Sequence, residues 1–228
     1  MKKKSAIQTP DKTESNDDLL KRLRELAWTG QHARAIELAT QELSASIIKP
    51  ALQMDLLDLR AESYIAEGKL DLAARDASAM VRLAVGKKEK TKNEKQKTEE
   101  EKRKTKNVTG KIEEKQKTKN KNYKLLAQAL NRKALVQMRQ GSLNAALKTA
   151  AAAFRNARLA GGEVLLAASL SRLAEAQNRT GDSQTAEETA RQAIPLFLAA
   201  GDPSGAGRAW WTISLALSDL CRQDDSRQ

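Results

Sequence analysis

The sequence has very little cysteine, histidine or aromatic content. Its 228 residues include one cysteine, Cys221, one histidine, His32, and only three tryptophans, two tyrosines and two phenylalanines. A single thiol cannot close an intrachain disulfide, and one thiol with one imidazole cannot supply the ligand set of a structural zinc site. We therefore expect no disulfide framework, no metal and no cofactor, and a reducing, cytoplasmic location.

Long apolar runs are also missing. No stretch reaches the roughly 18 uninterrupted apolar residues that indicate a membrane span. The basic opening MKKKSAIQTPDKTESN leads into no apolar segment of the kind found in a signal peptide. We expect neither a membrane span nor a leader.

The positive charge is concentrated in one segment, residues 87–121, called the lysine-rich tract below. It holds 15 Lys or Arg and 7 Asp or Glu, a net charge of +8 out of the formal +12 of the chain. The first 16 residues add a further +2, which leaves the remainder nearly neutral. The basic balance therefore describes these segments and says little about the folded surface.

The lysine-rich tract is repetitive and almost free of apolar residues. Lys-Thr-Lys-Asn recurs at Lys90, Lys104 and Lys117, and only Val108 and Ile112 interrupt its polarity. Too little apolar surface is present to offset the entropy of ordering a packed domain. Lys, Glu and Gln favour helix, whereas Asn, Thr and the excess of like charge oppose it. We predict an insertion over 86–122 that is disordered or transiently helical.

Outside the tract the apolar and small residues recur at helical spacings, and the pattern itself repeats. Four segments align without gaps on Gly30, Gly68, Gly141 and Gly181, which are 38, 73 and 40 residues apart. Removing the 35 residues of the tract turns 73 into 38, so the tract lies between two repeats. Alanines follow each glycine at five and nine residues: Ala35, Ala73, Ala146 and Ala186, then Ala39, Ala77, Ala150 and Ala190.

A glycine at this position predicts the end of one helix and the start of the next, so each repeat is read as a helical hairpin. The alanine columns predict where the paired helices cross closely, and Ala153, outside the columns, is expected to tolerate a larger side chain better. Ser142, Asp182 and Asp202 are predicted N-caps, and Pro195 is predicted to kink its helix. The predicted helices are 17–29, 32–46, 51–67, 70–85, 123–139, 143–160, 163–179, 183–200 and 204–221. The predicted organisation is a disordered tail 1–16, two hairpins in 17–85, the insertion 86–122, two hairpins and a terminal helix in 123–221, and a polar tail 222–228.

These residues resemble the tetratricopeptide repeat family in a long-period variety of 38–40 residues, where the family usually has about 34. The fourth repeat is similar to the family pattern at Leu170, Ala174, Gly181-Asp182 and Ala186, and the second at Tyr64, Gly68 and Ala73. The resemblance implies an all-α solenoid of about four hairpins and one terminal helix.

In this family the first helix of each hairpin lines a concave groove, and the resemblance places a set of residues there. The polar candidates are Arg24, Asp55, Asp58, Glu62, Gln128, Asn131, Ser171, Glu175 and Asn178. The same offsets include apolar positions such as Leu20 and Met138. We expect a polar, locally acidic groove that binds a protein or peptide partner.

No residue set for catalysis is visible. The sequence identifies no nucleophile and no orienting acid as a partner of His32, so a structural role is expected. The stretch GDPSGAGR from Gly201 lacks the Gly-Lys-Ser/Thr ending of a phosphate-binding loop and is predicted to connect two helices. Cys221 is read as a helix-end residue, and the protein is predicted not to be an enzyme.

The terminal helix carries Trp210 and Trp211 among several leucines, more apolar surface than the preceding hairpin can cover. We expect a partner contact there, or a homo-oligomer formed through this helix. Three functions stay open: a non-enzymatic protein-interaction scaffold or regulatory module, a protein that contacts nucleic acid or another polyanion weakly through 87–121, and a repeat fragment of a larger signalling or assembly protein.

Overall fold

The computed structural model describes residues 15–45, 48–101 and 108–225, with side chains for 15–45, 48–86 and 116–221. All regular structure within these ranges is α-helical, as predicted. The helices are α1 (Asn16–Trp28), α2 (His32–Leu43), α3 (Pro50–Ala66), α4 (Leu70–Glu101), α5 (Val108–Arg139), α6 (Leu143–Ala160), α7 (Glu163–Arg179), α8 (Ser183–Ala199) and α9 (Pro203–Asp225). None of them combines the length and the apolar composition needed to cross a membrane.

The repeated glycines end their helices in the left-handed region, with φ between 72° and 89°. At the first turn, the Gly30 N–H donates to the Ala27 carbonyl at 3.2 Å and the Gln31 N–H donates to the Leu26 carbonyl at 2.8 Å. This pair of bonds satisfies carbonyls that the helix end would otherwise leave without partners. The same pair occurs at Gly68, Gly141 and Gly181.

The two alanine columns lie where the helices of each hairpin meet. All eight alanines are buried, none with more than 3% of its surface exposed. Ala153 is fully buried as well, as part of an alanine stripe along α6, so the expectation that it tolerates a larger side chain is wrong. The stripe follows one face of α6. The alanines that recur five and nine residues after each turn glycine mark only the part of this face at the hairpin crossing.

Helices α4 and α5 are longer than predicted. The predicted end at residue 85 and start at residue 123 are wrong, because α4 continues to Glu101 and α5 begins at Val108. Extending a helix from an already packed segment needs no new nucleation, and Lys, Glu and Gln propagate it readily. Residues 102–107 lie outside the described residues.

The repeat stack continues across the lysine-rich tract. One core cluster combines Met54 and Leu57 of α3, Met80 of α4, and Leu125 and Ala129 of α5. Residues on both sides of the tract therefore share one core.

A partly buried ion pair joins the two helices of the second hairpin, with 16% of the Arg60 side chain and 7% of the Asp76 side chain exposed. The Arg60 guanidinium on α3 donates to both carboxylate oxygens of Asp76 on α4 at 2.8 and 2.7 Å, and to the Thr40 hydroxyl on α2 at 3.0 Å. The hydrogen bond to Asp76 raises the pKa of Arg60 above its ordinary value. Three helices are thereby joined through one side chain.

The remaining differences concern helix ends. Asp182 and Asp202 cap their helices by accepting from the backbone N–H of Thr185 and Gly205, whereas Ser142 makes no side-chain cap bond. Pro195 lies inside α8, which runs on to Ala199. The predicted end of the last helix at residue 221 is wrong, because α9 runs on to Asp225 and includes the first four residues of the predicted polar tail 222–228. The predicted tail at 1–16 lies outside the described residues except for its last two positions.

Candidate functional site

The first helices of the hairpins form one face of the molecule. Helix α1 contacts α3, α3 contacts α5, α5 contacts α7, and α7 contacts α9. Two cavities lie along this face and share Glu62. We call them the acidic cavity and the basic cavity for the charges that line them.

The acidic cavity lies between α1, α3 and α5 and has a volume of about 460 Å³. It contains five of the residues that the sequence placed in the groove: Arg24, Asp55, Asp58, Glu62 and Gln128. Three carboxylates face one lining arginine here, which agrees with the locally acidic groove expected from the sequence. Trp28 stands at its edge with 87% of its surface exposed.

The basic cavity lies between α3, α5, α7 and α9 and has a volume of about 700 Å³. Ser171, Glu175 and Asn178 line it, as the repeat offsets suggested. Its charges differ from the expectation of an acidic groove, because two carboxylates, Glu62 and Glu175, face five arginines. The arginines are Arg132, Arg139, Arg172, Arg179 and Arg208.

Sequence reasoning missed these arginines because no groove offset of the four repeats falls on them. Four of the five nevertheless form two pairs that are each 40 residues apart. Arg132 and Arg172 each follow a predicted groove position by one residue, whereas Arg139 and Arg179 lie in the last turns of α5 and α7. The corresponding helix-end position in the first two repeats holds Trp28 and Ala66. A search for arginine at that position in the third and fourth repeats would have found two of the five.

Other predicted groove positions lie beneath the surface. Leu20 and Met138 have 7% and 2% of their surface exposed and belong to the core, so their placement in the groove was wrong. Asn131 lines neither cavity; its side-chain amide donates to the Ser169 hydroxyl at 2.8 Å and connects α5 with α7. Leu20 and Met138 show that the family offsets, applied to this longer repeat, place some side chains on the packed side of the helix.

Arg132 joins the two sides of the lysine-rich tract within the groove. Its Nε donates to Asp58 at 2.6 Å and its second amino group to Glu62 at 3.1 Å, so α5 is tied to α3. Burial alone would lower the pKa of Arg132, but the charges and hydrogen bonds of these two carboxylates outweigh it and raise that pKa above its ordinary value. The Gln128 amide adds a longer bond to Asp55 at 3.4 Å.

Arg172 is less well compensated. It donates to Glu175 at 2.5 Å, but Glu175 also faces Arg179 at 3.5 Å. The Nε of Arg172 is buried and has no hydrogen-bond partner. Burial lowers the pKa of Arg172, Glu175 opposes the change, and the positive charges of Arg132 and Arg208 lower it further. The basic cavity therefore holds more positive charge than its own carboxylates neutralise.

The two tryptophans of α9 have different surroundings. Trp211 lines the basic cavity with 67% of its surface exposed, whereas Trp210 is 53% exposed and lines neither cavity. An exposed tryptophan in a cavity wall offers a large apolar contact to a ligand. Trp211 is thus an addition to the groove, while a terminal contact at Trp210 stays a prediction.

The single imidazole, His32, and the single thiol, Cys221, lie on different helices, α2 and α9. His32 begins α2 at the edge of the basic cavity, and its Nδ1 is buried without a partner. Within the described ranges no three His, Cys, Asp or Glu side chains come together to hold a metal ion. Cys221 is exposed on α9, and the segment from Gly201 forms the predicted connection, with Asp202 capping the next helix.

Comparison with known proteins agrees with the geometry. No family model and no curated protein matches the sequence. Among solved structures, the nearly identical TPR-like repeats of a candidate kinesin light chain from Podosopora anserina match with a TM-score of 0.57 and 13% sequence identity, over 94% of this chain and 92% of that one. The TPR2AB domain of yeast Sti1, in a complex with pHSP90, matches with a TM-score of 0.34 and 14% identity, over 88% of this chain and 98% of that one. The first match concerns the fold, and the chain has a tetratricopeptide-like helical-repeat fold.

Proposed function

We propose that the protein is a non-enzymatic interaction scaffold or regulatory module that binds a peptide or helix of a partner along the face formed by α1, α3, α5, α7 and α9. The observation that carries the proposal is the continuity of this face across the lysine-rich tract. Arg132 on α5 bonds to Asp58 and Glu62 on α3, and both cavities open beside these bonds.

Rigidity supports binding as the function of this face. The helices that line it are held by buried alanine crossings and by the bonds between α3, α5 and α7, so little has to be ordered when a ligand arrives. A preorganised surface loses less entropy on binding than a flexible one. An extended peptide or an amphipathic helix is the usual occupant of a groove between helices.

The proposed contacts follow from exposure and position. Arg24, Asp55 and Gln128 would meet the partner in the acidic cavity, and Ser171 and Asn178 in the basic one. Trp211 would supply the main apolar contact, since large exposed aromatic side chains in a cavity often dominate binding.

Selection from a random peptide library against the full chain tests the proposal. Binders to the face should lose most of their affinity in Trp211→Ala and keep it in Trp210→Ala. The second variant is a matched control, because it removes a neighbouring exposed tryptophan of the same helix that lines neither cavity. A library that yields no binders, or binders that are insensitive to Trp211→Ala, would contradict the proposal.

Charge segregation favours one second function. The lysine-rich tract carries +8 of the formal +12, so weak contact with nucleic acid or another polyanion is proposed for 87–121. The tract has no aromatic residue on which a base could stack, and such binding should depend strongly on salt and little on sequence.

A further inference from the structure

We propose that the outer face of α9, formed by Gly207, Trp210, Ser214 and Leu217, pairs with the same face of a second copy of this chain. The two copies of α9 run antiparallel and form the interface of a symmetric dimer. The sequence alone left open whether a partner or a second copy covers this helix. The inference goes beyond the proposed function, since Trp210 and Leu217 line neither cavity of the groove.

The repeat register identifies the face. The residue seven positions before each turn glycine shares a core cluster with column alanines of the second helix of its hairpin. These residues are Leu23, Ala61, Ala134 and Ala174. The residue eleven positions before each turn glycine is a leucine in all four hairpins: Leu19, Leu57, Leu130 and Leu170. These two offsets therefore mark the side of a first helix that its second helix covers.

Helix α9 exposes the same positions. Cys221 lies 40 residues after Gly181, so the two offsets fall on Trp210 and Ser214. Both are exposed, Trp210 with 53% of its surface, whereas the equivalent residues of the four hairpins are buried or partly buried. Within the described residues α9 is thus a first helix without a second one. The side that a second helix covers elsewhere in the array is open to solvent.

The remaining segments of this sequence do not suit the open face. Residues 1–14 and 226–228 have too few apolar side chains to form a helix that could cover it. Leu217, which is 42% exposed, continues the face from Trp210 along α9. Large exposed apolar side chains grouped on one side of a helix indicate a contact with another chain.

A second copy fits both the direction and the shape of the face. The helices of a hairpin are antiparallel, and a two-fold axis perpendicular to α9 makes two copies of this helix antiparallel. Small and large residues alternate along the face. An axis beside Thr212 places Gly207 of one copy opposite Leu217 of the other. The same axis places Trp210 opposite Ser214, so each large side chain meets a small one and the helices can pack closely.

The centre of this interface buries no charge. Residues 209–218 contain no Asp, Glu, Lys or Arg, although 31% of the chain is charged. A charged residue at this place would oppose association, because burying it without a partner is costly. A single pair of helices covers less surface than a stable dimer usually buries, so the expected Kd is about micromolar.

The test measures the mass of the full chain by sedimentation equilibrium over about 1–200 μM, a range that suits a weak interface. The interface variant is Trp210→Gln with Leu217→Gln, two exposed side chains whose replacement should leave the array folded. The matched control is Leu72→Gln with Leu159→Gln, 36% and 57% exposed. These leucines lie on α4 and α6, which do not pack on α9 in the described part of the chain. Circular dichroism checks that both variants keep their helical content.

The native chain should change from monomer to dimer over this range. The control should dimerise within about twofold of the native affinity, whereas the interface variant should lose at least about tenfold, as expected for a central tryptophan. Peptides selected against the groove should bind the native chain and the interface variant equally, because neither replaced residue lines a groove cavity. The dimer and the scaffold can therefore fail separately.

Cross-linking tests the antiparallel pairing. In a Cys221→Ser background, Gly207→Cys with Leu217→Cys should give a disulfide-linked dimer on oxidation, whereas Gly207→Cys alone should not. Two cysteines ten residues apart on one helix are separated by about 15 Å, which is too far for a disulfide within one chain. A disulfide formed by this pair of variants therefore joins two copies.

A native chain that stays monomeric throughout the range would overturn the proposal. Dimers that are equally tight in the interface variant and the control would place the interface elsewhere and overturn it as well. A monomer that binds a peptide with the sequence of α8, and loses this affinity in the interface variant, would assign the face to a helix of a different protein. Failure to cross-link through Gly207→Cys with Leu217→Cys would overturn the antiparallel pairing.

Discussion

Replacing Ala146 with leucine should lower stability through overpacking at a hairpin crossing. Ala146 is fully buried and lies in one cluster with Ala134 and Met138 of α5 and Ala176 of α7. Leucine adds three carbon atoms where two of the neighbours are alanines, which have no rotamer that could move aside. Insertions of this size into a packed core cost about 1–3 kcal/mol in the free energy of unfolding. In a chain of this length that corresponds to a fall of about 2–12 °C in Tm.

Ala145→Leu is the matched control, because Ala145 precedes Ala146 in the same turn of α6 and is exposed. Leucine and alanine have similar helix propensities, so this variant should stay within about 0.5 kcal/mol of the parent. Thermal and urea unfolding, followed through the helical signal in circular dichroism, would measure both. Equal melting of the Ala146→Leu and Ala145→Leu variants would refute the crossing as the reason for the alanine columns.

Three further predictions concern the turns, the ion pair and the lysine-rich tract. Gly181→Ala should destabilise the chain by about 1 kcal/mol or more, since φ is +89° there. Gly207→Ala, on the exposed face of α9, should be neutral or stabilising. Urea midpoints that fall equally in both variants would count against the left-handed turn. Asp76→Ala should cost about 1–3 kcal/mol because it leaves the half-buried Arg60 without its carboxylate, and the double variant with Arg60→Met should recover part of the loss. A double variant no more stable than the single one would show that the charge is not the cause. Deleting 87–121 should abolish heparin retention, while Tm and the affinity of selected peptides should stay unchanged. Loss of peptide binding in this variant would show that the tract is part of the recognition surface.

How much of the site could be predicted depends on where in the repeat each residue lies. The acidic cavity follows from repeat offsets, because Arg24, Asp55 and Gln128 lie at the positions that a first helix turns toward the groove. The basic cavity does not, because Arg139 and Arg208 come from a helix end and from the helix after the last repeat. Arg139 shares its helix-end position with Arg179 of the next repeat, but the repeat spacing brings neither of them beside Arg208.

The sequence by itself determined the hairpins, their order and their turns. Glycine is tolerated where φ is positive, and alanine where two helix axes approach closely, so both residues reveal local geometry at any place in the chain. The place of the lysine-rich tract between two repeats followed from the same spacing. These features are local or strictly periodic, and pattern alone can show them.

Only the tertiary structure decided which charges meet. Arg132 reaches Asp58 across more than 70 residues of sequence, and Arg172 lies beside Arg208 only because α9 packs on α7. The electrostatic character of a groove depends on such long-range neighbours and on the burial that strengthens their interactions. The chain is therefore a repeat in its backbone, while the pairing of charges along its concave face depends on how neighbouring helices pack.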